Sequence, residues 1–396
     1  MKHTDLSLPN EFNYNLVAES PELNLSDPFK LRQWIDQNFP KLPPSDKLTL
    51  SQSITLRKRL KEKHFPFSFW WITKNLFEMA TDFRIATFHA QLLKEMSPSV
   101  TDLTAGSGFD LVAFLLAGLK VTAHETDPTT ALLLERNIHH FFQGQCPVFR
   151  HSIFGSTGKI PEYWFADPMR RSGSGRTFRL DDYTPPFSEI VSLKEKSTGC
   201  LVKISPMTPL SDPALNGFKK IIVSLDGECR EILLVHGNPE TVDGSLWIDG
   251  TLFNPEGDMK QDVSSGREVN TYIFDPDPAV MKSGRLAFWS ERVGLRLPAE
   301  DSGFPHGSST SVEPLFKPFL LIDEHSYKMK DIPDLSKKYS PRRVILKKKN
   351  TSVKLEEVEK LLGNKTGKTD PAVYFFITSE NEKTVVYVAE LLPKTH

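Results

Sequence analysis

Cysteine is scarce in this chain: three in 396 residues, Cys146, Cys200 and Cys229, widely spaced and odd in number. No CxxC or close histidine pair accompanies them, so neither a disulfide framework nor a zinc module is expected, and no metal. A chain without such staples is expected in a reducing cytoplasm. An excess of one charge is equally lacking, with 49 Lys and Arg against 50 Asp and Glu. No global field therefore marks the chain for nucleic acid or for an anionic membrane. No apolar run approaches the roughly eighteen residues of a membrane span, and the opening MKHTDLSLPNEFNYN has no apolar signal core. Neither a membrane partner nor export is expected, and the pattern leaves the oligomeric state open.

A further absence concerns glycine. Thr101 to Pro128 reads TDLTAGSGFDLVAFLLAGLKVTAHETDP: a strand over 99–103, a glycine turn, an apolar helix over 111–117 closed by Gly118, a second strand over 121–123, then acids. That order is a nucleotide-binding crossover, and Glu125 with Thr126 stands where a carboxylate accepts hydrogen bonds from ribose hydroxyls. The turn lacks the third glycine of GxGxxG, offering only Gly106 and Gly108, which disfavours a pyrophosphate and hence NAD. Asp102 before the turn and Asp110 after it repel a diphosphate but suit a ligand bearing an ammonium and a sulfonium. S-adenosylmethionine meets that description, with Thr104, Ala105, Gly106, Ser107 and Gly108 beneath it. After the third strand, HSIFG offers Ser152 where an acid often contacts the adenine amine, and Ile153 and Phe154 to sandwich the base. The bland alternative is a Rossmann-like turn that binds nothing.

Three regions follow from the pattern. Residues 1–97 read as an α-helical N-terminal domain, with helices over Asp27–Asn38 and Ser51–Lys63, an aromatic run at Phe65, Phe67, Phe69, Trp70 and Trp71, and a helix capped by Thr81 and running through Leu93. Residues 98–311 alternate strand and helix as an α/β, Rossmann-like doubly wound sheet: a helix at Leu132–Phe142, strands at Val148–His151 and Tyr163–Ala166, a helix at Phe187–Lys194 and a strand at Cys200–Ile204. A hairpin, Lys220–Leu225 with Glu231–His236 across Asp226 and Gly227, is expected to finish its edge. Thr271–Phe274 and a helix from Asp277 are expected to extend the same layer. A glycine- and serine-rich break at Asp301–Ser311 precedes a small α+β module, 312–396, with a strand at Arg343–Lys348, a helix at Lys354–Leu362 and a hairpin of Val373–Thr378 with Thr384–Leu391. Tyr327 to Lys368 holds thirteen basic against five acidic residues. Arg342, Arg343, Lys347, Lys348 and Lys349 are the candidates to hold RNA phosphates.

The second motif is WFADPMRRSGSGRTFRLDDYTPP, Trp164 to Pro186, where a strand ends at Asp167 and Pro168. Ligands of such sheets bind at strand C-termini. Asp167 and the carbonyl beside it resemble the acceptor motif D/N/S-P-P-aromatic of amino methyltransferases, which takes hydrogen bonds from an exocyclic amine and orients its lone pair. Met169 and Arg170 stand in place of the second proline and the stacking aromatic. Arg170 either stacks on a base or pairs with an anion. Lys203, in LVKISP, either contacts substrate or neutralises a carboxylate.

Taken together, EMATDFRIATFHAQ, DLTAGSGFD, DPMRR with GRTFRLDDYTPP, VKISP, SLDGECREILL, FDPDPAVMKSG and the basic C-terminal module resemble bacterial class I methyltransferases with a THUMP-like C-terminal domain. DPM is also similar, over a shorter stretch, to guanine-N2 methyltransferases of ribosomal RNA. The resemblance implies an S-adenosylmethionine-dependent methyltransferase with Asp102 near the methionine ammonium, and a C-terminal domain related to RNA-binding modules. An amino nitrogen of a base in tRNA or rRNA is the expected acceptor; the rivals are a non-catalytic binder and a protein or small-molecule acceptor.

Overall fold

The structure, a computed structural model, describes residues 16–17, 27–154, 159–170, 179–256, 272–308, 314–339, 342–362 and 369–392. The chain divides into two compact units, Met1–Ile221 with Glu231–Asp243, and Ile222–Arg230 with Gly244–His396. The expected boundary at residue 97 is not a unit boundary.

The first unit opens with α1 (Pro28–Asn38), α2 (Pro44–Leu60), α3 (Lys74–Met79) and α4 (Phe83–Met96). Asp82 rather than Thr81 caps α4, its carboxylate accepting from the Arg84 N–H at 3.0 Å. There follow β1 (Ser99–Asp102), α5 (Phe109–Leu116), β2 (Lys120–His124), α6 (Pro128–Phe142), β3 (Val148–Phe149), β4 (Tyr163–Ala166), β5 (Met169–Arg170), β6 (Tyr183–Thr184), α7 (Phe187–Lys194) and β7 (Gly199–Ile204); of the next two strands, β8 (Lys219–Leu225) belongs to the first unit up to Ile221 and β9 (Glu228–His236) from Glu231. Within this unit the strands lie in the order β9-β7-β4-β1-β2-β3. β1 is parallel to β2 and β4, β4 to β7 and β2 to β3, while β9 runs antiparallel to β7. The sheet is therefore mixed, with the expected antiparallel addition beside β7. β8 and β9 are joined by Asp226 and Gly227, both in the left-handed region that a two-residue hairpin turn requires.

The aromatic run 65–72 forms neither helix nor strand, and side chains supply backbone partners at its end. Asn137 accepts from the Trp71 N–H at 2.9 Å and donates to the Trp71 carbonyl at 3.0 Å, while Ser53 accepts from the Ile72 N–H at 2.9 Å. Phe69 and Trp71 share one core with Leu31, Ile35, Leu50 and Ile54 of the helices and with Leu133 of α6. The helical lead-in has no separate core in this cluster.

The second unit contains β10 (Ser245–Ile248), β11 (Thr251–Phe253), β12 (Tyr272–Pro276), α8 (Pro278–Lys282), α9 (Leu286–Arg292), β13 (His306–Gly307), β14 (Phe316–Ser326), α10 (Ile332–Lys338), β15 (Arg342–Lys348), α11 (Leu355–Leu362), β16 (Thr369–Glu380) and β17 (Lys383–Leu391). A six-stranded sheet runs β13-β12-β14-β17-β16-β15. Along β16, Val373, Phe375 and Ile377 pack with Ile332, Val358 and Leu362 of the helices, whereas Phe376 packs on the other face with Phe304, Phe319 and Tyr387. β12 pairs with β14, Ile273 opposite Phe319, so the strand expected to extend the methyltransferase layer belongs here instead; Thr271 itself lies outside the described residues. The presumed break is packed too, with Ser302 and Phe304 fully buried and Gly303 donating its N–H to Thr378 Oγ1 at 2.8 Å. Residues 309–311 of that stretch lie outside the described residues. β14 alternates in burial from Leu320 to Ser326, but Pro318 and Phe319 are buried in succession, and a register shift falls between Leu321 and Asp323.

Gly237, just past β9, has φ +78, and a Cβ there would stand 2.1 Å from the Thr198 carbonyl oxygen, a backbone atom at the start of β7. Gly237→Ala is expected to cost more than about 2 kcal/mol, from left-handed strain plus a clash that only strand displacement relieves. Urea unfolding measures it; a loss below about 0.5 kcal/mol contradicts the tight β7 and β9 edge.

Candidate active site

The turn after β1 is fixed from three sides. The Ala105 N–H donates to the His124 carbonyl at 3.0 Å, and Trp70 Nε1–H donates to the Ser107 carbonyl at 2.9 Å. Gly108 has φ +82, and a Cβ on it would lie 2.6 Å from Leu134 Cδ1 and 3.2 Å from Trp70 Cζ2. Gly106 donates its N–H to Glu125 Oε2 at 2.9 Å, and the Asp127 N–H reaches Oε1 at 2.8 Å. Each Glu125 oxygen thus holds one backbone donor and keeps a lone-pair direction for a ligand.

Asp102, 1 % exposed, accepts from the Thr104 N–H at 3.0 Å through Oδ1, while its Oδ2 is buried without a partner. Burial and the carboxylates of Asp110, Asp167 and Glu125 hold it well above the usual carboxylate range, against the pull of the Thr104 N–H. Such an atom fits a cationic ligand group, which would both satisfy it and lower its pKa.

A buried polar cluster stands behind the turn. Lys203 Nζ, on β7, donates to Asp167 Oδ2 at 2.6 Å and to Thr81 Oγ1 at 2.7 Å, and lies 3.8 Å from both Asp110 and Glu231. The Thr81 hydroxyl donates to Asp110 Oδ2 at 2.6 Å. His89, on α4 and entirely buried, meets Asp110 Oδ1 through Nδ1 at 2.8 Å and Glu231 Oε1 through Nε2 at 2.7 Å. A ring whose two nitrogens both face carboxylates donates from both and is an imidazolium. Burial opposes that charge, but Glu231 and Asp110 outweigh it and push His89 up to about 9. Asp110 is lowered to about 2, Lys203 and His89 overcoming burial, and Lys203 is raised by Asp167, Asp110 and Glu231. Burial raises the Asp167 carboxyl, opposed by Lys203 and assisted by Asp110 and Glu231. The Asp167 side chain retains 39 % exposure, and its N–H is held by Thr104 Oγ1 at 2.6 Å.

The structure thus brings together Asp102, Thr104, Ala105, Gly106, Ser107, Gly108, Glu125, Asp167, buried Pro168 and Lys203 at one end of the sheet. Lys203 stands among the carboxylates of Asp167, Asp110 and Glu231. Asp110, expected beside the cofactor, has both its oxygens bonded within the cluster, to His89 and Thr81. Ser152 Oγ accepts from the Phe154 N–H at 3.1 Å, and Ile153 and Phe154 pack half-buried against the core of Leu103, Trp164 and Ile204. Thr126 is exposed at the end of β2. The Arg170 backbone pairs with Tyr183, its side chain and all of Arg171 lying outside the described residues.

No protein-family model matches the chain. Over 232 residues it is 24 % identical to two Mycobacterium tuberculosis proteins, from strains CDC 1551 and H37Rv, each named an uncharacterized S-adenosylmethionine-dependent methyltransferase. The match covers 57 % of this chain and 63 % of each relative, so it spans less than two thirds of their length. A solved structure of a candidate methyltransferase from Porphyromonas gingivalis W83 superposes with a TM-score of 0.68 at 18 % identity, covering 96 % of this chain and 100 % of that one. This chain has a methyltransferase-like α/β fold.

Thr81, His89 and Glu231 are site residues that sequence reasoning missed. The signal was present: His89 lies in the apolar stripe of α4 with Ile85, Phe88 and Leu92, and Glu231 opens the apolar run EILLVH. An ionisable residue at a core position of a helix or strand needs a buried partner.

The five predicted phosphate ligands lie on or just past β15, and much of their charge is spent within the second unit. Lys347 and Lys349 share Asp275, at 2.5 and 3.1 Å, Arg342 pairs with Glu390, and Lys348 donates to the Val353 carbonyl at 2.8 Å. Arg343 is exposed.

Because His89 is raised from 6.5 to about 9 on folding, its stabilising contribution is complete below pH 6.5 and lost as pH rises through 9. The loss is on the order of 3 kcal/mol by linkage. Urea unfolding should show the gap in stability between wild type and His89→Gln narrowing from pH 6.5 to 9.5; a gap unchanged with pH contradicts a charged His89.

Proposed function

We propose that this chain is an S-adenosylmethionine-dependent methyltransferase whose acceptor is an amino nitrogen of a base in structured RNA. The observation that carries the reading is the pairing of a partnerless buried Asp102 oxygen beside the glycine turn with a half-exposed Asp167 held by Lys203. The names of the two mycobacterial relatives support the same chemistry.

S-adenosylmethionine, when bound, supplies an electrophilic methyl group on a sulfonium. Asp102 would accept the ammonium, Glu125 the ribose hydroxyls, and the Gly106 to Gly108 turn, closed to side chains at Gly108, would lie beneath the ligand. The surplus of carboxylates favours a cation over a diphosphate. Asp167, with Oδ2 fixed on Lys203, has Oδ1 to accept one hydrogen of an acceptor amine, and the backbone carbonyl beside it accepts the other. Two such bonds aim the nitrogen lone pair, and the amine proton passes to the Asp167 carboxylate as the nitrogen is methylated.

The RNA assignment rests on the resemblance and on the amine-accepting motif. A protein or small-molecule acceptor is the second reading, favoured by the pairing of Lys347 and Lys349 with Asp275. Incubation with labelled S-adenosylmethionine and RNA from cells lacking the gene, followed by nucleoside analysis, separates them. Label in a methylated guanosine or adenosine is expected; label in protein or small molecules alone overturns the RNA reading, and none anywhere despite cofactor binding overturns the enzyme.

Asp167→Ala is expected to lower kcat by about a hundredfold or more, with cofactor affinity within about threefold of wild type. Single-turnover transfer and equilibrium dialysis measure the two; unchanged turnover removes Asp167 from the chemistry.

A further inference from the structure

His89 touches neither the glycine turn nor the exposed edge of Asp167, yet it is the only cation beside Lys203 for which the described residues show short contacts within this cluster. Lys203 has three N–H donors, and the cluster offers it three carboxylates. Two donors make short bonds, to Asp167 and Thr81; Asp110 and Glu231 stay at 3.8 Å, outside hydrogen-bonding range. What keeps those two carboxylates from drawing the ammonium inward is His89, which gives each a short bond of 2.8 or 2.7 Å. Buried Glu231 and Asp110 would otherwise be the stronger attractors, since attraction grows as solvent screening falls.

We propose that His89 is a positioning residue: by occupying Asp110 and Glu231, it leaves Lys203 turned outward onto Asp167, and so sets the orientation of the carboxylate that receives the acceptor amine. The orientation of Lys203 follows from the geometry alone; its effect on transfer rests on the methyltransferase reading. The chain of contact runs from α4 through the ends of β7 and β9 to the residue after β4, so a helix of the N-terminal lead-in takes part in fixing the acceptor site.

Two variants test this. In His89→Gln one amide replaces the imidazolium and Glu231 loses its charged partner. In His89→Gln with Glu231→Gln one of the two competing carboxylates is removed as well, and the other, Asp110, keeps the Thr81 hydroxyl on its Oδ2. A crystal structure of the single variant should show Lys203 Nζ withdrawn from Asp167 towards Glu231, and one of the double variant should show it back on Asp167. Transfer should follow: kcat down about tenfold in the single variant with the KM for S-adenosylmethionine within about twofold, and mostly recovered in the double. Lys203 remaining on Asp167 in the single variant, or a double variant as impaired as the single, overturns the proposal. A purely structural role for His89 gives no recovery on adding a second core substitution. Should the single variant fail to fold, the double decides, because retained Lys203 geometry is required of it. If the wild type transfers no methyl to any acceptor, the methyltransferase reading fails while the Lys203 position still decides this proposal.

Discussion

A shortage of positive charge at the end of one sheet organises this molecule. Asp102, Asp110 and Glu231 are buried and Asp167 is half-exposed, while the cations bonded among them are Lys203 and His89. An isolated buried carboxylate costs several kcal/mol, and removing one partner from a buried pair costs roughly 3 to 5 kcal/mol. Lys203 and His89 therefore set which acids stay ionised. Asp110 stays low because both cations reach it; burial and the neighbouring carboxylates raise Asp102, which neither cation touches. The imbalance is a structural liability that a bound cation removes, which makes it the strongest physical argument for a cofactor carrying an ammonium and a sulfonium.

The fold supplies this arrangement by convergence. Parallel strands β1, β4 and β7 end side by side, placing Asp102, Asp167 and Lys203 within one neighbourhood, as sheets of this class place their ligands. Antiparallel β9 brings Glu231 in beside Lys203 from a direction a purely parallel sheet lacks. The lead-in helices contribute His89 and Thr81, and the aromatic run contributes the Trp70 indole that holds the Ser107 carbonyl. The N-terminal region is thus built into the site, which explains why it shares a compact unit with the sheet.

The crossover at 99–128 was legible because each signal in it is local: strand alternation, turn glycines, an apolar helix and acids at the next strand end. Asp102 and Glu125 could be named for the same reason. The His89 cluster was not, because bonded partners such as His89 and Glu231 lie 142 residues apart and are related only by tertiary packing. Thr81 read as a cap until Asp82, one residue nearer the first turn, took that place. The assignment of Thr271–Phe274 failed because a strand's sequence shows that it pairs but not with what: β12 found β14. The basic stretch was read correctly as sequence and incompletely as surface, since Asp275 and Glu390, distant in the chain, take up its charge.

The most direct test is calorimetric titration of the protein with S-adenosylmethionine in buffers of differing ionisation heat, beside Asp102→Asn. Binding that tightens as pH rises in the wild type and not in the variant is the expected result, because the raised Asp102 carboxyl must be ionised to receive the ligand ammonium. No binding, or binding with the same proton balance in both proteins, would contradict a site whose unbalanced carboxylates await a cation.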